Sequence, residues 1–204
     1  PYWPLIAGIV RLSGAIPISV PFFGHEGSVE ERIRPFLSPK TVALYVNTPN
    51  NPTGLCLNRT DCSEIVQICN LENLWLWSDE VYEELIYQGE HCRISELAPE
   101  RSVSVYSFSK AYGLAGNRCG YLLGPETVLS DVRKAVVHST YSTTTASQLV
   151  GATVLTDGQN WIEEARQRYA KAGRAAAKAL GVPEPQGGTF LFLDVSKYLN
   201  GRTI

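Results

Sequence analysis

The sequence has no methionine, three histidines and five cysteines among its 204 residues. His25, His91 and His138 are scattered, so no metal cluster is expected. Cys56, Cys62, Cys69, Cys92 and Cys119 are odd in number and lack Cys-x-x-Cys spacing. That argues for reduced thiols in a cytoplasmic protein, against a disulfide framework or a zinc site. No apolar run approaches the roughly 20 residues that span a bilayer, and no basic-then-apolar segment opens the chain. With 18 Lys and Arg against 20 Asp and Glu, there is no electrostatic case for nucleic acid or an anionic membrane as partner. Lacking methionine and starting in mid-pattern at Pro1-Tyr2-Trp3-Pro4, the chain is expected to be part of a longer protein.

What is present alternates. Leu5 to Leu12 predicts a helix after Pro4, ended by Gly14, and the short β-branched run Ala15 to Val20 predicts a strand. Ser28, followed by Glu30 and Glu31, predicts an N-cap and a helix to about Leu37. Thr41 to Val46 is nearly all apolar, the mark of a strand buried on both faces. Thr60 predicts the cap of a helix reaching Leu71. Strands are expected at Leu74 to Trp77, Val103 to Phe108, Cys119 to Leu123 and Gly188 to Val195. Helices are expected at Pro125 to Val137, Thr144 to Leu155 and Trp161 to Leu180, the last broken by Gly181, Pro183 and Pro185. Alternating strands and helices predict an α/β fold with a mostly parallel sheet.

The candidate chemistry centres on Lys110. A lysine at the end of a buried strand can be deprotonated by desolvation and become a nucleophile. Arg118, eight residues on, with Ser107 and Ser109 nearby, offers a fork and hydroxyls for a phosphate dianion. Amine plus phosphate anchor is the requirement of a pyridoxal phosphate site. Asp79 ends another strand, where an acid needs a cationic or hydrogen-bonding partner; a pyridinium nitrogen is one, and capping of a helix from Val81 to Ile86 is the plainer alternative. Tyr82, taken singly, reads as a packing aromatic. Ser107-x-x-Lys110 also has the form of a penicillin-interacting serine nucleophile, but no Lys-Thr-Gly follows, and Ser78-Asp79-Glu80 lies upstream with Glu in place of Asn. Asn51, Asp79 and Lys110 all fall at or after the carboxyl end of an expected strand, the edge where open α/β sheets gather ligand groups.

Three stretches carry a resemblance: Asn47-Thr48-Pro49-Asn50-Asn51-Pro52-Thr53-Gly54, Ser78-Asp79-Glu80-Val81-Tyr82, and Ser107 to Tyr121. In order and spacing they resemble the fold-type I, pyridoxal-phosphate-dependent aminotransferases of class I/II, the aspartate aminotransferase superfamily. The resemblance runs from Pro1-Tyr2-Trp3 to Gly187-Gly188-Thr189-Phe190. It implies that Lys110 forms the Schiff base with the cofactor and shuttles a proton, that Asp79 pairs with the pyridinium nitrogen, and that Asn51 and Tyr82 bond the phenolic oxygen. It implies that Ser107, Ser109 and Arg118 hold the phosphate and that Trp3 stacks on the ring. Asn117 departs from the pattern, since relatives often carry Trp there.

The resemblance further implies a three-layer large domain over residues 1–157, lacking its N-terminal part, and an inter-domain helix with the start of a smaller α+β domain over 158–204. It implies ping-pong transfer of an amino group from an L-amino acid to a 2-oxo acid, and a homodimer when full length. Decarboxylation, carbon–sulfur lysis and a non-catalytic sensing role on the same fold are its alternatives.

Overall fold

The structure, a computed structural model, describes residues 1–24, 26–199 and 202. Among these, β1 (Ala43–Asn47), β2 (Trp75–Asp79), β3 (Ser102–Ser107) and β4 (Gly120–Leu123) form one sheet in that spatial order. The first three strands are parallel and β4 runs antiparallel to β3. Helices α1 (Leu5–Leu12), α2 (Val29–Ile33), α3 (Arg59–Leu71), α4 (Ile94–Leu97), α5 (Glu126–Ser139), α6 (Thr145–Asp157) and α7 (Gln159–Leu180) complete a mostly parallel sheet flanked by helices. None of the described helices is long and apolar enough to cross a membrane.

Local chemistry sets the helix ends. Ser28 accepts from the Glu31 N–H while Glu31 reaches back to the Ser28 N–H, a full capping box opening α2. Helix α3 is capped by Asn58, not Thr60: the Asn58 side chain accepts from Asp61 N–H and Asp61 reciprocates. The amide oxygen of Asn58 serves the same purpose two residues earlier, which adds Arg59 and Thr60 to the helix. Gly181, left-handed at φ 65°, ends α7.

Pleating divides the sheet into two unlike faces. Leu76, Ser78, Ser104 and Tyr106 point into a core shared with Ile33 of α2, Ile65 and Ile68 of α3 and Ile94 of α4. Tyr45, Trp77, Asp79 and Val105 lie on the opposite face and are only half-buried. The run from Thr41 to Val46 is therefore not buried on both faces as expected. A second cluster joins Tyr82, Leu85, Phe108 and Tyr112 to Ile162 of α7.

Two expected strands are absent. Residues 15–20 are irregular, and the sheet offers them no neighbour. Residues 188–195 are irregular as well, because their bonding goes elsewhere. Gly188 N–H donates to Leu85 O at 2.8 Å, Tyr87 OH donates to Gly188 O, and Gly187 makes an isolated antiparallel bridge with Ile86. Segment 186–190 is thus a strap lying on the turn after β2.

Candidate active site

Asp79 is the last residue of β2, and the 47–54 loop is bound to its backbone. Its carbonyl accepts from Thr48 N–H at 3.1 Å and from Asn47 Nδ2 at 2.9 Å. Asn47 Oδ1 in turn accepts from Asn51 N–H at 2.7 Å. The Asp79 carboxylate points to the half-buried face, where Tyr45 OH donates to its Oδ2 at 2.7 Å. Residues 81–84 form turns, not the expected helix, so Asp79 is no helix cap; its Oδ1 lies 3.4 Å from Val81 N.

The turn carries Tyr82 back over the strand end. Its phenol faces the side chains of Asn51 and Thr189, both of which favour its ionised form, and its ring meets Phe190 edge-on at 5.4 Å between centroids. Lys110 comes from the neighbouring chain end, with Nζ 5.7 Å from the centroid of the Tyr82 ring. The sequence reading placed Lys110 where burial would strip its proton. It is exposed instead, because it lies three positions past the end of β3 and the chain turns there, Gly113 N–H donating to the Lys110 carbonyl at 3.1 Å.

Ser107 ends β3 and pairs in register with Gly120 of β4, which sets Arg118 two residues before Ser107's partner. Ser107 Oγ accepts from Ser109 N–H at 3.1 Å. Arg118 is exposed and left-handed at φ 50°, and its Nη1 donates to Ala115 O at 3.0 Å. Gly120 admits no side chain, since a Cβ there would stand 2.4 Å from Tyr106 O. Trp3 lies just before α1, 36% exposed, and makes no aromatic ring contact among the described residues. Among the described residues, no hydrogen bond or ring contact joins it to the other seven candidates.

Burial dominates the electrostatics. It raises the Asp79 carboxyl above its ordinary value, against the Tyr45 hydrogen bond, the Val81 N–H and the Lys110 charge, which all favour the anion. Burial and the Asp79 charge push the Tyr82 phenol up to about 12, with Thr189 and Asn51 opposing. Burial, helped by Asp79, also drives the Tyr45 phenol upward, so its hydroxyl stays protonated.

Three contributors escaped sequence reading. Tyr45 looked like one more apolar position in a strand, and only the register of β1 on β2 reveals its reach. Thr189 and Phe190 were visible in Gly187-Gly188-Thr189-Phe190 but were read as a strand of another domain. His91, expected from its scattered position to belong to no metal cluster, lies beside two acids. Its Nε2 lies 2.7 Å from Glu80 Oε2, and one polar atom each from Glu80, Glu83 and His91 falls within a 4.8 Å group. Hydrogen bonding explains that spacing: the fully buried Glu80 also accepts from Ser104 Oγ at 3.0 Å, Ile94 N–H at 3.3 Å and Tyr106 OH at 3.3 Å.

The family model for aminotransferase class I and II matches residues 1–201. A probable aspartate/prephenate aminotransferase of Thermus aquaticus is 33% identical, the match covering 97% of this chain and 54% of that protein. The structure of a Thermus thermophilus aspartate aminotransferase double mutant superimposes with a TM-score of 0.84 at 32% identity, over 92% of this chain and 52% of the other. That of N-succinyldiaminopimelate aminotransferase from Mycobacterium tuberculosis gives a TM-score of 0.87 at 26% identity, over 97% and 56%. The chain therefore spans about half the length of the relatives it matches. On the extent of the family match and these likenesses, the chain belongs to the class I and II aminotransferases.

Proposed function

We propose that this chain carries the cofactor-binding centre of a pyridoxal-phosphate-dependent aminotransferase that moves an amino group from an L-amino acid to a 2-oxo acid. The observation that carries the reading is the pairing of chemistry at one sheet edge. A carboxylate anchored by a phenol at the end of β2 feels the charge of a lysine amine beyond the end of β3. That donor set fits the cofactor. Asp79 suits a pyridinium nitrogen, Asn51 and Tyr82 suit a phenolic oxygen, and Arg118 with Ser107 and Ser109 suits a phosphate. Trp3 is assigned to the ring face by resemblance alone.

When bound, the cofactor supplies an electron sink for the charge left at the substrate α-carbon. The residues supply the rest. Lys110 Nζ is the nucleophile and carries the proton to and from the substrate carbon. Asp79 holds a negative charge where a ring cation needs one. Asn51 and Tyr82 would orient the ring by hydrogen bonds, and Arg118 would hold its phosphate through a charged fork. The relatives described above are aminotransferases by name, which favours transamination over decarboxylation, carbon–sulfur lysis or a sensing role.

Within this reading, residues 1–157 form the large domain and residues 158–204 the inter-domain helix and the start of a smaller domain. The whole protein works as a homodimer. All five cysteines are free, which supports a reducing, cytoplasmic location. The test is to add pyridoxal phosphate, reduce with borohydride and map the labelled peptide by mass. Label on Lys110, lost in Lys110→Ala, supports the assignment; label on another lysine, or none on a folded chain, overturns it.

A further inference from the structure

We propose that Tyr45 is a positioning residue for Asp79: its hydroxyl fixes one carboxylate oxygen on the half-buried face of the sheet and favours the anionic form of that carboxylate. What Asp79 is positioned for rests on the cofactor reading above, but the contact itself does not.

Register makes the contact. Strands β1 and β2 are parallel neighbours with Tyr45 opposite Trp77 and Asn47 opposite Asp79. Residues 45, 77 and 79 share the half-buried face, so a side chain long enough to cross one pleat from position 45 reaches position 79. Tyrosine has that length, and its OH lies 2.7 Å from Asp79 Oδ2. Trp77 braces the Tyr45 ring edge-on, at 5.6 Å and 84°, so the hydroxyl is aimed by packing.

The groups facing Asp79 are Tyr45 from β1, Lys110 from the turn after β3, Glu80 beside it in the chain and Tyr82 from the following turn. Lys110 acts on it only through its charge, and Glu80 repels its negative form. The one backbone donor, Val81 N–H, is at 3.4 Å. Tyr45 therefore makes the one short side-chain hydrogen bond to this carboxylate among the described residues. A half-buried carboxylate favours its neutral form, and a phenol donor opposes that preference. A protonated Asp79 would offer a ring cation no counter-charge, so Tyr45 acts through Asp79 without touching the ring.

The test is Tyr45→Phe, which removes one oxygen and keeps the ring against Trp77. Asp79 is titrated by carboxyl 13C NMR in the whole chain without added cofactor, its signal assigned by loss in Asp79→Asn. The expected result is a midpoint raised by about one pH unit, the scale of a hydrogen bond to a charged group. An unmoved midpoint overturns the proposal, even if Tyr45→Phe binds cofactor poorly, because weakened binding alone would be a packing effect. Trp77→Leu keeps the hydroxyl but unbraces it; its midpoint should rise by less, and this variant decides the matter if Tyr45→Phe does not fold. In parallel, the dissociation constant for pyridoxal phosphate should rise roughly tenfold in Tyr45→Phe, with borohydride label still on Lys110. If neither wild type nor variant binds pyridoxal phosphate, the functional reading fails while the titration still decides the role of Tyr45.

Discussion

Asp79 and Glu80 are consecutive carboxylates whose side chains serve opposite faces of one sheet: Asp79 meets Tyr45 on the half-buried face, and Glu80 meets His91 in the core. One is held by a single short side-chain bond and raised toward neutrality. The other is fully buried and surrounded by donors. Neighbouring acids at a strand end thus divide into a group available for chemistry and a group committed to the fold.

Replacing Asp79 by Asn should stabilise the chain at neutral pH. The folded carboxyl titrates above its ordinary value of 3.8, so the folded state binds that proton more tightly than the unfolded one. Its contribution is most favourable below about 3.8 and is lost as pH rises through the folded value. Thermal unfolding should give a higher Tm for Asp79→Asn at pH 7, with the gap closing on acidification. A gap that widens in acid would refute the burial argument.

Glu80→Ala should cost about 3 kcal/mol or more, since it leaves His91 Nε2, Ser104 Oγ, Tyr106 OH and Ile94 N–H without their buried acceptor. Glu80→Gln should lose less, because an amide oxygen still accepts. Urea unfolding at constant m-value measures both.

Gly151→Val should destabilise by about 1–3 kcal/mol. A Cβ at this position in α6 would already lie 2.8 Å from the Phe108 ring, and Phe108 sits two residues before Lys110. The lysine region should become more accessible, seen as faster amide exchange at Ser109 to Ala111.

Arg118→Gly should stabilise the fold by roughly 0.5–1 kcal/mol, because glycine adopts a φ of 50° without the strain an arginine bears. The same change should weaken binding of pyridoxal phosphate at least tenfold by removing the charged fork. Strain kept at a residue whose backbone would relax as glycine is the signature of a side chain retained for its chemistry. Calorimetry and a binding titration on one preparation read both effects.

Strands β1 to β4 and helices α5 to α7 were legible because apolar runs and Gly or Pro breaks mark where elements start and stop. The convergence of Asn51, Asp79 and Lys110 at one edge was legible because parallel strands share an exit side. What failed had a common cause. Residues 15–20 and 188–195 have strand-like composition, but composition does not say whether a partner lies alongside. Tyr45 and Thr189 act across registers and turns that only the fold supplies. The exposure of Lys110 depended on how far past β3 the chain travels before turning, a three-residue difference that no periodicity records.

The strap at 186–190 carries a consequence for the order of synthesis. Gln186 Oε1 accepts from Cys56 N–H, a contact spanning 130 residues, and Gln186 and Gly187 N–H groups both donate to Gly54 O. Closing so long a loop is the entropically late step of assembly. A ribosome that has just made Leu180 has released strands β1 to β4, yet the 47–54 loop still lacks its contacts with the strap and Tyr82 still lacks Thr189 and Phe190. A growing chain can thus shape its scaffold well before it completes these contacts around Tyr82.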